Sequence, residues 1–249
     1  MKAMIFAAGL GTRLRPITDS RPKALVTVAG QTLLERNINS LKAFGFDHIV
    51  VNVHHFPQMI ADFLASRDWG IKVQLSDESN RLLDTGGGLK KALPLFNDGT
   101  PGPILLHNVD ILSNANLRRF YLLGTAYPAA LLVSSRETSR YLLFDDDMNL
   151  AGWTNIATGQ VRSPYGNINP DNYHRFAFSG IHLFSPTLAT YMDSFPDAFP
   201  IIDFYLALCR KVKIKGIAAN GLKLLDVGKI NALKEAEEFV EEIQTTNNK

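Results

Sequence analysis

Apolar runs alternate with amphipathic stretches along the first half of the chain. "AMIFAA" and "HIVVNV" read as buried strands, and between them "TLLERNINSLKAFG" places Leu34, Ile38 and Leu41 on one helical face with Gly45 as a stop. The alternation continues through helical "PQMIADFLAS", strand "IKVQL", helical "GGLKKALPLF" and strand "PILLHNV". Strands without in/out alternation are covered on both faces, and strands that alternate with helices pair in parallel through right-handed crossovers. The expectation is an α/β chain with a mostly parallel sheet and with function beyond the C-terminal strand ends.

The second half is less regular. "AALLVSS", "YLLFDD" and "LAGWT" read as short strands with turns at "DDDMN" and "ATGQ", followed by the polar stretch "RSPYGNINPDNYHR", which reads as an insertion. "FAFSGIHLF" is then a strand, "IIDFYLALCRKV" a helix, "IKGIAA" and "LKLLDV" strands, and "KINALKEAEEFVEEI" a closing helix whose polar tail "QTTNNK" is expected to fray. No internal repeat or low-complexity linker interrupts the chain.

Composition narrows the class without changing this picture. A length of 249 residues with 46% hydrophobic content suits one large α/β domain over residues 1–249. No apolar run reaches the roughly 18 residues that span a bilayer, and one lysine ahead of a short apolar run makes a poor signal peptide, so no membrane association and a cytoplasmic address are expected. The net charge of +2 argues against a nucleic-acid surface. Cys209 lies inside an apolar helical pattern and reads as a buried, inert thiol. His54, His55, His107, His174 and His182 lack metal-ligand spacing and read as structural or surface residues, with His54 and His55 on opposite faces of a strand. Trp69 and Trp153 read as packing residues.

The chemistry concentrates in residues 4–30, "MIFAAGLGTRLRPITDSRPKALVTVAG". Gly9 and Gly11, directly after a strand, bring backbone N–H groups to bear on an anion, and phosphate is the natural guest. Leu14 stands where a dinucleotide loop needs its third glycine, and no G-K-[ST] follows, so a Rossmann dehydrogenase and a P-loop ATPase are disfavoured. Pro16 and Pro22 keep residues 12–23 from forming one helix. Arg13, Arg15, Arg21 and Lys23 make this basic connection functional rather than a merely solvated loop.

"AAGLGTRLRPIT…RPKALVTVAGQTLLE" resembles the signature of the sugar-1-phosphate nucleotidylyltransferases. The resemblance extends through "DTGGGLKKALPLF", similar to the family's nucleobase-binding turn, "LLHNVDIL", similar to its metal-binding strand end, "FAFSGIHLF", similar to its sugar-binding strand, and "LLDVGKINALKEAE", similar to its second metal carboxylate and closing helix. It implies a Rossmann-like three-layer α/β/α fold with a small β-rich sugar-binding insertion. The NTP-binding part would occupy about residues 1–130, the insertion about 131–185, and the closing strands and helix 186–249. The most similar subgroup is the N-acetylmuramate-1-phosphate uridylyltransferases, with mannose-1-phosphate (or heptose-1-phosphate) guanylyltransferases beside it.

The implied reaction is attack of a sugar-1-phosphate oxygen on the α-phosphorus of UTP or GTP, giving an NDP-sugar and pyrophosphate. The monoester nucleophile is already largely dianionic at pH 7, so the difficulty is bringing two polyanions together, and cations do that work. Arg13 and Lys23 are the implied catalytic cations, and Asp110 and Asp226, each following an apolar strand, the implied Mg²⁺ ligands. Ala7, Ala8, Gly9, Gly11, Thr12, Gly86 and Gly87 are implied for the nucleotide, the "TGGG" backbone against the base. Asn108, Ser179 and Gly180 are implied for the sugar. Taken singly, Asp110 and Asp226 also fit helix caps, and the glycines a helix start.

Three positions depart from the family pattern: Val109 for a common Gly, Asp84 for a common Glu, and Lys229 for the usual Thr, with Lys229 a further phosphate-binding candidate. The segment "RSPYGNINPDNYHRFAFSG" is expected to close over the sugar, and an acidic sugar would need Arg140, Arg162 or Arg175 within reach. A non-catalytic nucleotide-sugar sensor is the rival class. Monomer and homo-oligomer stay open.

Overall fold

The protein was studied as a computed structural model, which describes residues 1–247. The chain opens with β1 (Lys2–Phe6), buried throughout, and then turns through three short 3-10 segments at Thr12–Leu14, Ile17–Asp19 and Lys23–Leu25. A small hairpin, β2 (Thr27–Val28) and β3 (Gln31–Thr32), leads into α1 (Leu33–Ala43), β4 (His48–Val53), α2 (Pro57–Ala65), β5 (Lys72–Asp77) and α3 (Asp84–Ala92). β6 (Ile104–Asn108), β7 (Ile111–Ser113) and α4 (Leu117–Gly124) complete the first half. The second half runs β8 (Ala129–Ser134), β9 (Arg140–Phe144), β10 (Leu150–Asn155), β11 (Gln160–Arg162), β12 (His174–Phe184), α5 (Ile201–Leu208), β13 (Ile214–Ala218), β14 (Leu224–Asp226) and α6 (Asn231–Asn247).

Local chemistry explains the boundaries. Thr32 caps α1 by accepting the Glu35 N–H at 3.1 Å, and Leu34, Ile38 and Leu41 are fully buried, each contributing about 2 kcal/mol of apolar burial. α3 gives way at Leu93 to a 3-10 turn containing Pro94, whose missing N–H cannot continue the helix. The tail expected to fray remains helical to Asn247, and Asn248 and Lys249 lie outside the described residues.

One ten-stranded sheet runs β11-β10-β9-β12-β6-β1-β4-β5, with β8 also paired to β12 and β13 to β8. β1 pairs in parallel with β4 and β6, and β4 with β5, so their C-terminal ends point the same way. The fold is α/β with a mostly parallel central sheet. β12 is antiparallel to β6, β8 and β9. β5, expected to be buried, is half-exposed because it ends the order. Side chains of α1, α4 and α6 pack with Ile5 and Leu105 on one sheet face, while α3 and α5 pack with Phe6 and Leu106 on the other. β14 pairs with β7 in a separate two-stranded sheet, Asp226 opposite Ile111, which swings the chain end back beside the end of β6. His54 and His55 fall just past β4, not on it: His54 Nδ1 lies 2.7 Å from Glu78 O, and His55 packs on Phe56.

Candidate active site

A cavity of about 400 Å³ opens at the C-terminal ends of β1, β4 and β6. Its lining includes Ala7, Ala8, Gly9, Gly11, Thr12, Arg13, Lys23, Asn108 and Asp110, nine residues singled out by sequence. A larger cavity of about 580 Å³ lies between α1, α4 and α6, but it holds neither Lys23 nor Asp110 and no cluster of unpaired cations.

The glycine-rich loop works by close approach at one position. Gly11 has φ +64°, and a Cβ there would lie 2.9 Å from the Thr18 side chain, whose hydroxyl donates to Gly11 O at 2.8 Å. The next turns carry Arg13 and Lys23 into the cavity, whereas Arg15 pairs with Asp19 at 3.2 Å and Arg21 stays exposed, so two of the four cations take part. Lys23 is buried and its Nζ is ion-paired with Asp110 Oδ2.

Asp110 and Asp226 are brought together. Val227 N–H donates to Asp110 O at 2.8 Å, locking the β14 end onto the β6 end, and the two carboxyl groups come within hydrogen-bonding reach. Burial first, and then the Asp110 charge, raise the Asp226 pKa above the ordinary carboxylate range, against the pull of Lys23 and Arg13. Arg13 stands 3.9 Å from Asp226, in space that exists because residue 228 is glycine: a Cβ there would come within 2.6 Å of the guanidinium. Two crowded carboxylates form an oxygen donor set that suits a hard divalent cation. Mg²⁺ is such an ion: it takes oxygen ligands and keeps water and phosphate oxygens alongside one or two carboxylates.

Gly86 and Gly87 sit against the segment before α5. Their N–H groups donate to Phe199 O at 2.8 and 3.3 Å, and neither lines the cavity. A Cβ on Gly86 would lie 2.2 Å from the Phe199 ring, and one on Gly87 2.0 Å from Asp197 O. These glycines let α3 pack against the segment before α5, and the turn meets the cavity through Leu82, Asp84 and Thr85 instead. Ser179 is also redirected, its hydroxyl accepting the Ile181 N–H at 3.1 Å within the irregular part of β12. Gly180, at φ +77°, lies against Asn108: a Cβ would come 2.9 Å from its amide nitrogen. Lys229 is exposed and outside the cavity lining. Residues 163–173 do not line it either, and the Tyr165 hydroxyl donates to Cys209 O at the far end of α5.

Sequence reading missed a buried polar chain. Asn52 accepts the Ala7 N–H at 2.8 Å and donates to Glu78 at 2.7 Å, and Glu78 also accepts the Leu83 N–H at 3.3 Å. Burial raises the Glu78 pKa above the usual range. The available signal was a lone asparagine inside the otherwise apolar run "HIVVNV".

The profile of the nucleotidyl transferase family matches residues 2–140, more than half of the chain. The chain belongs to that family. This nucleotidyltransferase is 32% identical over 232 residues to the N-acetylmuramate α-1-phosphate uridylyltransferase of Caulobacter vibrioides, covering 88% of the chain and 89% of that protein. It is 30% identical over 240 residues to the enzyme of the same name from Neisseria meningitidis, covering 95% and 97%. The crystal structure of HddC from Yersinia pseudotuberculosis complexed with GMP-PN shares the fold, with a TM-score of 0.75 at 20% identity over 96% of this chain and 99% of that one. No helix among the described residues is long and apolar enough to cross a membrane.

Proposed function

We propose that this nucleotidyltransferase joins UTP to N-acetylmuramate-1-phosphate in the presence of Mg²⁺, giving a UDP-sugar and pyrophosphate. The observation that carries the reading is extent: the two uridylyltransferase relatives match over 88% and 95% of the chain, well beyond the half that the family profile covers. In this reading residues of about 1–130 bind the NTP, about 131–185 bind the acceptor, and 186–249 return the second carboxylate to the site. An NTP substrate supports a cytoplasmic place of work.

The acceptor oxygen is anionic at neutral pH, so the residues position and neutralise rather than abstract a proton. Lys23 supplies a buried positive charge on the cavity wall, held there by Asp110. Arg13, more exposed, turns between Asp226 and the outer phosphates of the NTP. Asp110 and Asp226 would hold the Mg²⁺, which when bound neutralises phosphate charge. Asn52 fixes the Ala7 backbone against the base side, while Asn108 and Gly180 face the acceptor.

The test is a matrix of four NTPs against acidic and neutral sugar-1-phosphates, scored by pyrophosphate release with and without Mg²⁺. The highest kcat/KM is expected for UTP with N-acetylmuramate-1-phosphate. A maximum at GTP with mannose-1-phosphate would replace this reading with a guanylyltransferase, and no release from any pair would leave a nucleotide-sugar sensor.

A further inference from the structure

Of the three arginines that the sequence offers to an acidic acceptor, two are engaged elsewhere. Arg162 Nη1 donates to Asp203 at 2.6 Å and its guanidinium lies 4.3 Å over the Trp153 ring, and Arg175 is ion-paired with Asp171. Arg140 is exposed, and its guanidinium makes no ion pair or hydrogen bond among the described residues.

The position of Arg140 follows from register. β9 pairs with β12 as Phe144 opposite His174 and Leu142 opposite Phe176, so two residues further the same register puts Arg140 at the level of Phe178. Arg140 alternates with Leu142 and Phe144, which belong to the same apolar cluster as Phe6 and Leu106, so it lies on the same sheet face as Phe6, whose ring lines the cavity. Phe178 is tied to that cavity by a run of rings: it packs edge-on against His182 at 5.4 Å, His182 stacks on Phe6 at 6.2 Å, and Phe6 lines the cavity. Gly180, two residues further along β12, lies against Asn108.

The other end of the same connection arrives at the same place. Residues 135–139 join β8 to β9, and Arg136 Nη2 donates to Phe178 O at 3.2 Å, which leaves its other N–H groups available. The connection is held in shape: Thr138 N–H donates to the Tyr141 hydroxyl at 3.1 Å, and Ile156 N–H to Ser139 O at 2.8 Å. It carries one acid, Glu137, which is exposed. Two arginines therefore flank Phe178, which the ring run through His182 and Phe6 connects to the cavity.

We propose that Arg136 and Arg140 form a cation pair that selects a sugar-1-phosphate bearing a second anionic group, a carboxylate. This rests on the reading of the site as an acceptor for an acidic sugar phosphate. A guanidinium fork binds a carboxylate bidentately, and a neutral sugar gains nothing from it.

The experiment compares kcat/KM for N-acetylmuramate-1-phosphate with that for N-acetylglucosamine-1-phosphate, at saturating UTP, in wild type, Arg136→Gln, Arg140→Gln, Arg140→Lys and the control Arg175→Gln. The acidic-over-neutral ratio should fall about 10- to 100-fold in Arg140→Gln and about 10-fold in Arg136→Gln, through the KM of the acidic acceptor. It should recover in part in Arg140→Lys and stay unchanged in Arg175→Gln. If wild type itself prefers the neutral acceptor, the acidic-sugar reading fails and the proposal with it. If wild type prefers the acidic acceptor and the Gln variants retain that preference, or lose both acceptors equally while Arg140→Lys does the same, the proposal alone is overturned.

Discussion

Lys23 is ion-paired with Asp110 across 87 residues of sequence, and only 10% of the lysine side chain meets water. A pair this buried holds the site together as well as charging it. Lys23→Met leaves two neighbouring carboxylates without their inner cation, and we expect a loss of roughly 3 kcal/mol of stability together with a fall of about 10²-fold or more in kcat. Asp110→Asn should abolish Mg²⁺-dependent turnover with the fold intact. The double variant tests the coupling: urea denaturation should show it more stable than the sum of the two single losses predicts, and strict additivity would mean the pair is not coupled.

Gly86→Ala and Gly87→Ala are expected to act through packing. The Asp197 carbonyl stands 2.0 Å from a Cβ on Gly87 and is backbone, so α3 and the segment before α5 must separate, at a cost of about 1–3 kcal/mol. Thermal denaturation should show the loss without nucleotide present. A variant with unchanged Tm and a raised KM for the NTP would restore the base-contact role that the sequence suggests for these glycines.

Two buried histidines contribute to the loss of stability in acid. Burial pushes His182 down to about 3 and His107 to about 4 from an ordinary value of 6.5, so both are neutral in the fold and protonate more readily in the unfolded chain. A depressed folded pKa gives stability that is fully present above about pH 6.5 and is lost as pH falls toward 4, with a slope approaching about 1.4 kcal/mol per pH unit for each histidine. Denaturation at pH 7.5, 6 and 5 should show that decline. His182→Asn should make it shallower by one proton, and an unchanged slope would remove His182 from the account.

Much of this architecture is legible before any coordinates because it rests on strong local signals. β1, β4 and β6 are mainly apolar and buried, and Asp110 and Asp226 each close an apolar run. What the sequence hides is long-range. Nothing local shows that Gly86 makes room for a phenyl ring, since that ring belongs to Phe199, over a hundred residues away. Arg162 reads like a free cation until α5 brings Asp203 to it. The 3-10 segment Pro186–Ser194 is likewise invisible, since its two buried residues, Leu188 and Met192, make a single pair too short to mark a helical face.

Gly228 offers a test of the outer cation that leaves every charge in place. It is buried and lines the cavity, and a Cβ there would lie 2.6 Å from Arg13 Nη2 and 2.7 Å from Asp226 Oδ1. Gly228→Ala should push the guanidinium and the carboxylate apart, while the Lys23–Asp110 pair stays formed. Because Arg13 is 58% exposed at the side chain, little stability depends on its contact with Asp226, and the Tm should move by less than the Lys23→Met change. Catalysis depends on where the charge sits, and kcat/KM for the NTP should fall about 10- to 100-fold. Arg13→Ala should be of similar size, and adding Gly228→Ala to it should cost little more, since both remove the same positioned charge. Steady-state kinetics of the four proteins decides it: if the two substitutions multiply, Gly228 acts on something other than Arg13.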